Sequence, residues 1–99
     1  MSEKWCLEQL PGDTPRTYWF LREFTFPEDA EKCFQAYCRR GVRAILFQVF
    51  GKYVVAAYAT EKTHLDVLNE TPSSDDSYLG KIRVMECCRF GTIIKDCLR

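Results

Sequence analysis

Two apolar runs joined by one short turn constrain the fold of this chain more than any other feature. Residues 43–50 and 53–60 are rich in β-branched and aromatic residues, and residues 51–52 (Gly-Lys) separate them. Glycine in the first position of a two-residue loop is typical of a type II′ turn, so the sequence predicts an antiparallel hairpin that pairs Phe50 with Tyr53. Both faces of this hairpin are apolar, because hydrophobic side chains fill successive positions of each run.

A strand and a helix are predicted before the hairpin. Residues 17–25 predict a strand with Tyr18, Phe20 and Phe24 on one face, and with Trp19 and Leu21 on the other. The helix is predicted to have Thr25 as its capping residue, with Glu28 three positions on and Pro27 in the first turn, and to stop at Gly41. Its apolar stripe consists of Ala30, Cys33, Phe34, Tyr37 and Cys38.

Further elements are predicted after the hairpin. A second helix begins near Thr63 and turns Leu65 and Leu68 inward, and a polar loop follows it. The alternation of side chains over residues 81–88 predicts a fourth strand. Residues 89–99 carry apolar side chains at helical spacing and predict a last helix.

The order of these elements predicts an α+β fold, the ferredoxin-like βαββαβ plan with a four-stranded antiparallel sheet and a C-terminal helix. We expect a single domain over residues 1–99, in which residues 1–16 form a turn-rich lead-in and residues 17–99 form the core. Both long helices of this plan lie on one sheet face, so the other face needs a different cover. The candidates are the last helix, the lead-in with Trp5, a second copy of the chain, or a ligand.

Charge and composition exclude several classes of protein. Fourteen basic residues balance fourteen acidic ones, whereas a strongly basic nucleic-acid-binding protein would carry a large positive charge. No apolar run approaches the ~18 residues of a membrane span, and the N-terminus has no signal-peptide pattern, so we expect a cytoplasmic or nuclear protein without a membrane partner. The six cysteines are expected to be reduced and mostly buried.

No pattern of residues predicts catalysis. The only histidine, His64, is expected in a solvated or capping role in the second helix. No Cys-x-x-Cys pair or glycine-rich phosphate loop is present, so we expect no metal site, no cofactor and no catalytic residue. The chain is therefore predicted not to be an enzyme, with a cysteine-dependent enzyme as a remote alternative.

Apolar side chains on both sheet faces indicate either a core on both sides of the sheet or a face that binds a partner, and we expect a binding module. The first hypothesis is a protein-interaction or self-associating domain that forms a homodimer through this face. The alternative is RNA or single-stranded DNA binding, with aromatic side chains stacking on bases and cations contacting phosphates. The interface or stacking candidates are Tyr18, Phe47, Val49 and Tyr58, and the phosphate-contact candidates are Arg22, Arg43, Lys52, Lys81 and Arg83.

The layout of residues 17–99 resembles one known family. An aromatic strand such as Tyr18-Trp19-Phe20-Leu21, a Pro-led helix and the strands at residues 44–49 and 53–60 are similar to the N-terminal domain of the replication-initiator (Rep) proteins of small circular single-stranded DNA viruses. The family's catalytic motifs are absent. The strand at residues 53–58 holds no metal ligand, and Thr92 stands where the Tyr-x-x-Lys nucleophile belongs. The resemblance therefore implies a non-catalytic relative, such as a small viral accessory protein.

Overall fold

The computed structural model of the protein describes residues 17–97. Within this range five strands and three helices follow one another as β1 (Thr17–Phe24), α1 (Pro27–Arg39), β2 (Arg43–Val49), β3 (Lys52–Thr60), α2 (Glu61–Glu70), β4 (Asp76–Leu79), α3 (Lys81–Phe90) and β5 (Thr92–Cys97). The strands form one antiparallel sheet in the order β4-β1-β3-β2-β5. The predicted α+β class is confirmed, and the predicted number of four strands is wrong.

The hairpin turn lies one residue earlier than predicted. Phe50 and Gly51 both have positive φ angles, of 50° and 77°, which is the requirement of a type I′ turn. Val49 therefore pairs with Lys52, and the predicted pairing of Phe50 with Tyr53 is wrong. Each strand keeps its predicted faces, because the true register differs from the predicted one by an even number of residues.

One face of the sheet packs against α1 and α2. The apolar stripe of α1 is buried there as predicted, apart from the half-buried Cys38. In α2 the inward residues are His64 and Val67, so the prediction of an inward Leu65 is wrong. The ring of His64 stacks on Phe20 with centroids 3.9 Å apart, and its Nδ1 lies 2.8 Å from the Tyr37 hydroxyl. His64 is thus a core residue rather than the solvated residue that we predicted.

The C-terminal third reverses two predicted elements. Residues 81–90 form helix α3 instead of a strand, and residues 92–97 form strand β5 instead of a helix. The true fourth strand, β4, lies in the segment predicted as a polar loop, and it pairs with the outer edge of β1. The predictions for the lead-in, including Trp5, and for residues 98–99 fall outside the described residues.

Helix α3 covers the second face of the sheet. Its residues Val84 and Cys87 join a buried cluster with Leu21, Phe47 and Val54. An apolar core therefore lies on both sides of the sheet. The sheet face that the sequence left without a cover is largely covered by α3, a segment that the sequence predicted to be a strand.

Gly91 allows the close turn between α3 and β5. A Cβ atom at this position would lie 2.5 Å from Cγ2 of Val49 and 2.8 Å from the carbonyl oxygens of Cys87 and Gln48. We expect Gly91→Ala to lower the free energy of unfolding by about 1–3 kcal/mol, because the backbone has to shift to admit the methyl group. Urea denaturation checks this, with Thr92→Ala as the neighbouring control. Equal stability of the two variants would contradict the close packing.

The described cysteines are free thiols that differ in exposure. Cys33 and Cys87 are buried, whereas Cys88 is exposed. Burial raises the pKa of Cys33 to about 11 and also raises the pKa of Cys87. A raised pKa leaves both groups as unreactive thiols near neutral pH.

We expect iodoacetamide to label Cys88 in the native protein and to label Cys33 and Cys87 only after denaturation. Peptide mass spectrometry locates the modified residues. Native labelling of Cys33 at the rate of Cys88 would contradict the burial of Cys33.

Candidate binding surfaces

Two of the predicted stacking residues lie in the core. Phe47 has no exposed surface and Val49 is almost fully buried, and both belong to the cluster under α3. Tyr18 is half-buried and packs edge-on against Phe20, on the sheet face of α1 and α2. Of the four candidates, Tyr58 alone presents a large exposed area, with 44% of its surface accessible.

Three of the predicted phosphate contacts already have partners within the protein. Arg22 is only 1% exposed, and its guanidinium donates hydrogen bonds of 2.6 Å to the Thr71 hydroxyl and to the Pro72 carbonyl oxygen. Lys52 forms an ion pair of 3.1 Å with Asp75, and Arg83 forms one of 3.1 Å with Glu23. These cations hold loops and strands together, whereas Arg43 and Lys81 are exposed.

A row of three side chains crosses the sheet beside the N-terminus of α3. Trp19 and Arg43 each pair with Tyr58 across the strands, so the three side chains share one face. We call Trp19, Tyr58 and Arg43 the aromatic row. The Trp19 and Tyr58 ring centroids are 5.2 Å apart, and the Arg43 guanidinium carbon lies 5.9 Å from the Trp19 ring centroid. The row thus combines aromatic surface with a fixed positive charge.

The aromatic row lines a cleft of about 540 Å³. The lining residues are Thr17, Tyr18, Trp19, Arg43, Tyr58, Leu79, Gly80 and Lys81. Both charged residues in this set are cations, and the set contains no acidic residue. The cleft is therefore locally positive although the formal charge of the whole chain is zero.

A second surface is formed by the outer side of α3. Ile82 and Met85 are exposed opposite the buried Val84 and Cys87, and Phe90 is exposed at the end of the helix. Phe50, 82% exposed in the hairpin turn, stacks on Phe90 with ring centroids 6.3 Å apart. We call Phe50, Ile82, Met85 and Phe90 the apolar α3 surface. Three of them line a groove of about 770 Å³ together with Glu86, Cys88 and Arg89.

Phe50 occupies an unfavourable backbone conformation. Its φ of 50° lies in the left-handed region, which costs a bulky residue about 1–3 kcal/mol. Asn is the preferred residue before Gly in a type I′ turn. The turn therefore displays a large apolar ring where a small polar residue would make the fold more stable.

Sequence reasoning missed most of these surface residues for identifiable reasons. Trp19 was placed on the correct sheet face, but its alignment with Tyr58 depends on the β1–β3 register, which no local pattern reveals. Ile82 and Met85 were placed in a strand, in which they would point to opposite faces, and only the helix brings them together. The sequence does contain a signal for this helix, because Ile82, Met85, Glu86 and Arg89 have the spacing of residues on one helix face.

Residues 17–97 contain no cluster of metal ligands and no membrane-spanning helix. No group of three or more His, Cys, Asp or Glu side chains is placed to hold a metal ion in this range. None of the helices in the same residues is long and apolar enough to cross a membrane.

No protein-family model, no curated protein and no solved structure matches this chain. The resemblance to the Rep family stays a prediction. The segment compared with its Tyr-x-x-Lys motif, Thr92 to Lys95, lies in strand β5 rather than in the expected last helix.

Proposed function

We propose that this protein is a non-catalytic interaction module that forms a homodimer through the apolar α3 surface. The observation that carries the proposal is the contiguous exposure of four large apolar side chains, Phe50, Ile82, Met85 and Phe90. Exposed apolar patches of this kind typically mark interaction sites on soluble proteins. The strained turn that displays Phe50 supports the same conclusion, because Phe at that position costs backbone strain and leaves its ring 82% exposed.

The charges on α3 favour a second copy of the chain as the partner. Glu86 and Arg89 lie on the outer helix face, one turn apart. If two α3 helices cross antiparallel around a two-fold axis between these residues, Glu86 of each copy lies opposite Arg89 of the other. The same arrangement places Met85 against Phe90 of the other copy. The surface is thus self-complementary in charge and in apolar contact, as a two-fold dimer requires.

The first test is the solution mass, measured by light scattering on a size-exclusion column. We expect the wild-type protein to be a dimer and Met85→Glu to be a monomer, because the new carboxylates would be buried against apolar surface. Leu65→Glu is the matched control, since Leu65 is an exposed apolar residue of α2, on the other side of the sheet. A monomeric wild-type protein, or equal masses of the two variants, would count against the proposal.

A charge exchange tests the two-fold geometry itself. We expect Glu86→Arg and Arg89→Glu each to weaken the dimer, because like charges then face each other across the axis. The double exchange restores opposite charges and should restore the dimer. Sedimentation equilibrium measures the three dissociation constants. Failure of the double variant to recover, with a normal circular dichroism spectrum, would overturn the proposed pairing of Glu86 with Arg89.

Phe50→Asn separates folding from association. At a protein concentration where both proteins are monomeric, we expect this variant to be more stable than the wild type by about 1 kcal/mol in urea denaturation, because Asn-Gly suits a type I′ turn. It should nevertheless dimerise more weakly, because the ring that stacks on Phe90 is lost. A variant that is both more stable and equally dimeric would exclude Phe50 from the interface.

The same proposal includes the type of fold, the cellular compartment and the biological role. The strand order β4-β1-β3-β2 with α1 and α2 on one face supports a ferredoxin-like core, to which α3 and β5 are additions. The free thiols of Cys33 and Cys87 fit a protein that acts in the reducing cytoplasm or nucleus. A small viral accessory role fits a binding module without catalytic residues.

A further inference from the structure

The aromatic row has chemistry that the proposed dimer leaves unused. Its residues lie on the sheet, outside the apolar α3 surface, and none of them lines the α3 groove. Trp19 is only half-buried and Tyr58 is exposed, although α3 covers the neighbouring part of the same sheet face. The helix thus leaves one end of this face open, at the position where the aromatic side chains are largest.

The size and lining of the cleft suit a flat, partly apolar ligand. The two rings offer adjoining aromatic surfaces, tilted by 47° to one another, rather than a closed pocket. Stacking on such surfaces tolerates every nucleobase, because each base has a π-face. The cleft volume of about 540 Å³ lies within the range of small-ligand sites.

The charges beside the rings select an anionic ligand. Arg43 extends from β2, on the far side of β3, over the ring of Trp19, and Lys81 is the first residue of α3. Neither forms an ion pair with any carboxylate of residues 17–97, whereas Arg22, Lys52 and Arg83 are engaged elsewhere. Two cations that form no ion pair within residues 17–97, next to a half-buried and an exposed ring, match the combination of base and phosphate in a nucleotide.

We propose that the cleft binds an unpaired nucleobase with its phosphate, as presented by single-stranded RNA or DNA. The base stacks on Trp19 and Tyr58, and Arg43 and Lys81 contact the phosphate. This site works independently of the dimer, because it shares no residue with the apolar α3 surface. The expected affinity is modest and falls with salt, since only two cations contribute.

The binding test uses fluorescence anisotropy of labelled oligouridylate and oligothymidylate with the full-length chain. We expect at least one of the two strands to bind, with affinity at least about fivefold weaker for Tyr58→Leu than for the wild type. Arg43→Gln should also weaken binding. It should make the slope of log affinity against log salt concentration less steep by about 0.7, because one phosphate contact is lost. The matched control is Lys32→Gln, which removes an exposed cation of α1 and should change neither quantity.

Intrinsic fluorescence gives a direct readout of stacking. The chain contains two tryptophans, so the Trp5→Phe variant has Trp19 as its only tryptophan. We expect either oligonucleotide to quench this fluorescence in proportion to binding. Binding without quenching would overturn the placement of the base on Trp19.

The remaining outcomes decide between ligands. Binding of oligouridylate alone supports the site and identifies RNA as its source, and binding of oligothymidylate alone identifies DNA. If uridine monophosphate competes as strongly as the oligomer, the cleft is a site for free nucleotides. That result would overturn the proposal that its ligand is a single-stranded nucleic acid. No binding at low salt, or equal binding by Tyr58→Leu and the wild type, overturns the proposal and leaves the cleft to a protein ligand.

Met85→Glu, which breaks the proposed dimer, should bind either strand as the wild type does.

Discussion

The fold depends on the requirement that the central sheet be covered on both faces. Val54 and Ala56 of β3 point to one side, Val55 and Ala57 point to the other, and all four are fully buried. A buried valine contributes about 1.5–3 kcal/mol when it is removed from water, so the centre of each face has to be covered. The pair α1 and α2 covers one face and α3 covers the other, which gives a three-layer arrangement.

The short length of α3 accounts for both candidate binding surfaces. Ten residues reach over only part of the sheet, so the aromatic row remains uncovered beside the start of the helix. Nothing in residues 17–97 lies over the outer side of α3, so Ile82 and Met85 remain in contact with water. One helix therefore completes the core and leaves two separate surfaces with different chemistry, one aromatic and cationic, the other apolar.

The sequence predicts the first two-thirds of the fold well because its local signals agree with the tertiary structure. The stripe of α1, the faces of β1 and the hairpin all follow from periodicity, even though the turn is displaced by Phe50 in a conformation that phenylalanine rarely adopts. The hairpin faces remain correct because the register error is even. These elements are long and strongly patterned, which makes them the least ambiguous part of the chain.

The last third is ambiguous because its local patterns fit two structures. The spacing of Ile82 and Val84 fits a strand, whereas the spacing of Val84 and Cys87 fits a helix. The helix forms because it buries Val84 and Cys87 against the apolar sheet face. Thr92-Ile93-Ile94 is a β-branched run that favours a strand, and this signal was outweighed by the apolar spacing around it. Arg43, Tyr58 and Lys81 were predicted as site residues and lie together, whereas Arg22 and Phe47 are buried for reasons that only packing reveals.

A nuclear Overhauser spectrum of residues 81–90 tests directly whether α3 covers the second face of the sheet. If α3 covers the sheet, successive amide protons of this segment show helical contacts, and the Val84 methyl groups show contacts to the Phe47 ring. If the segment were the strand that its alternation suggests, its amides would show cross-strand contacts and Val84 would show none to Phe47. That result would contradict the second core, and with it the positions of both candidate surfaces.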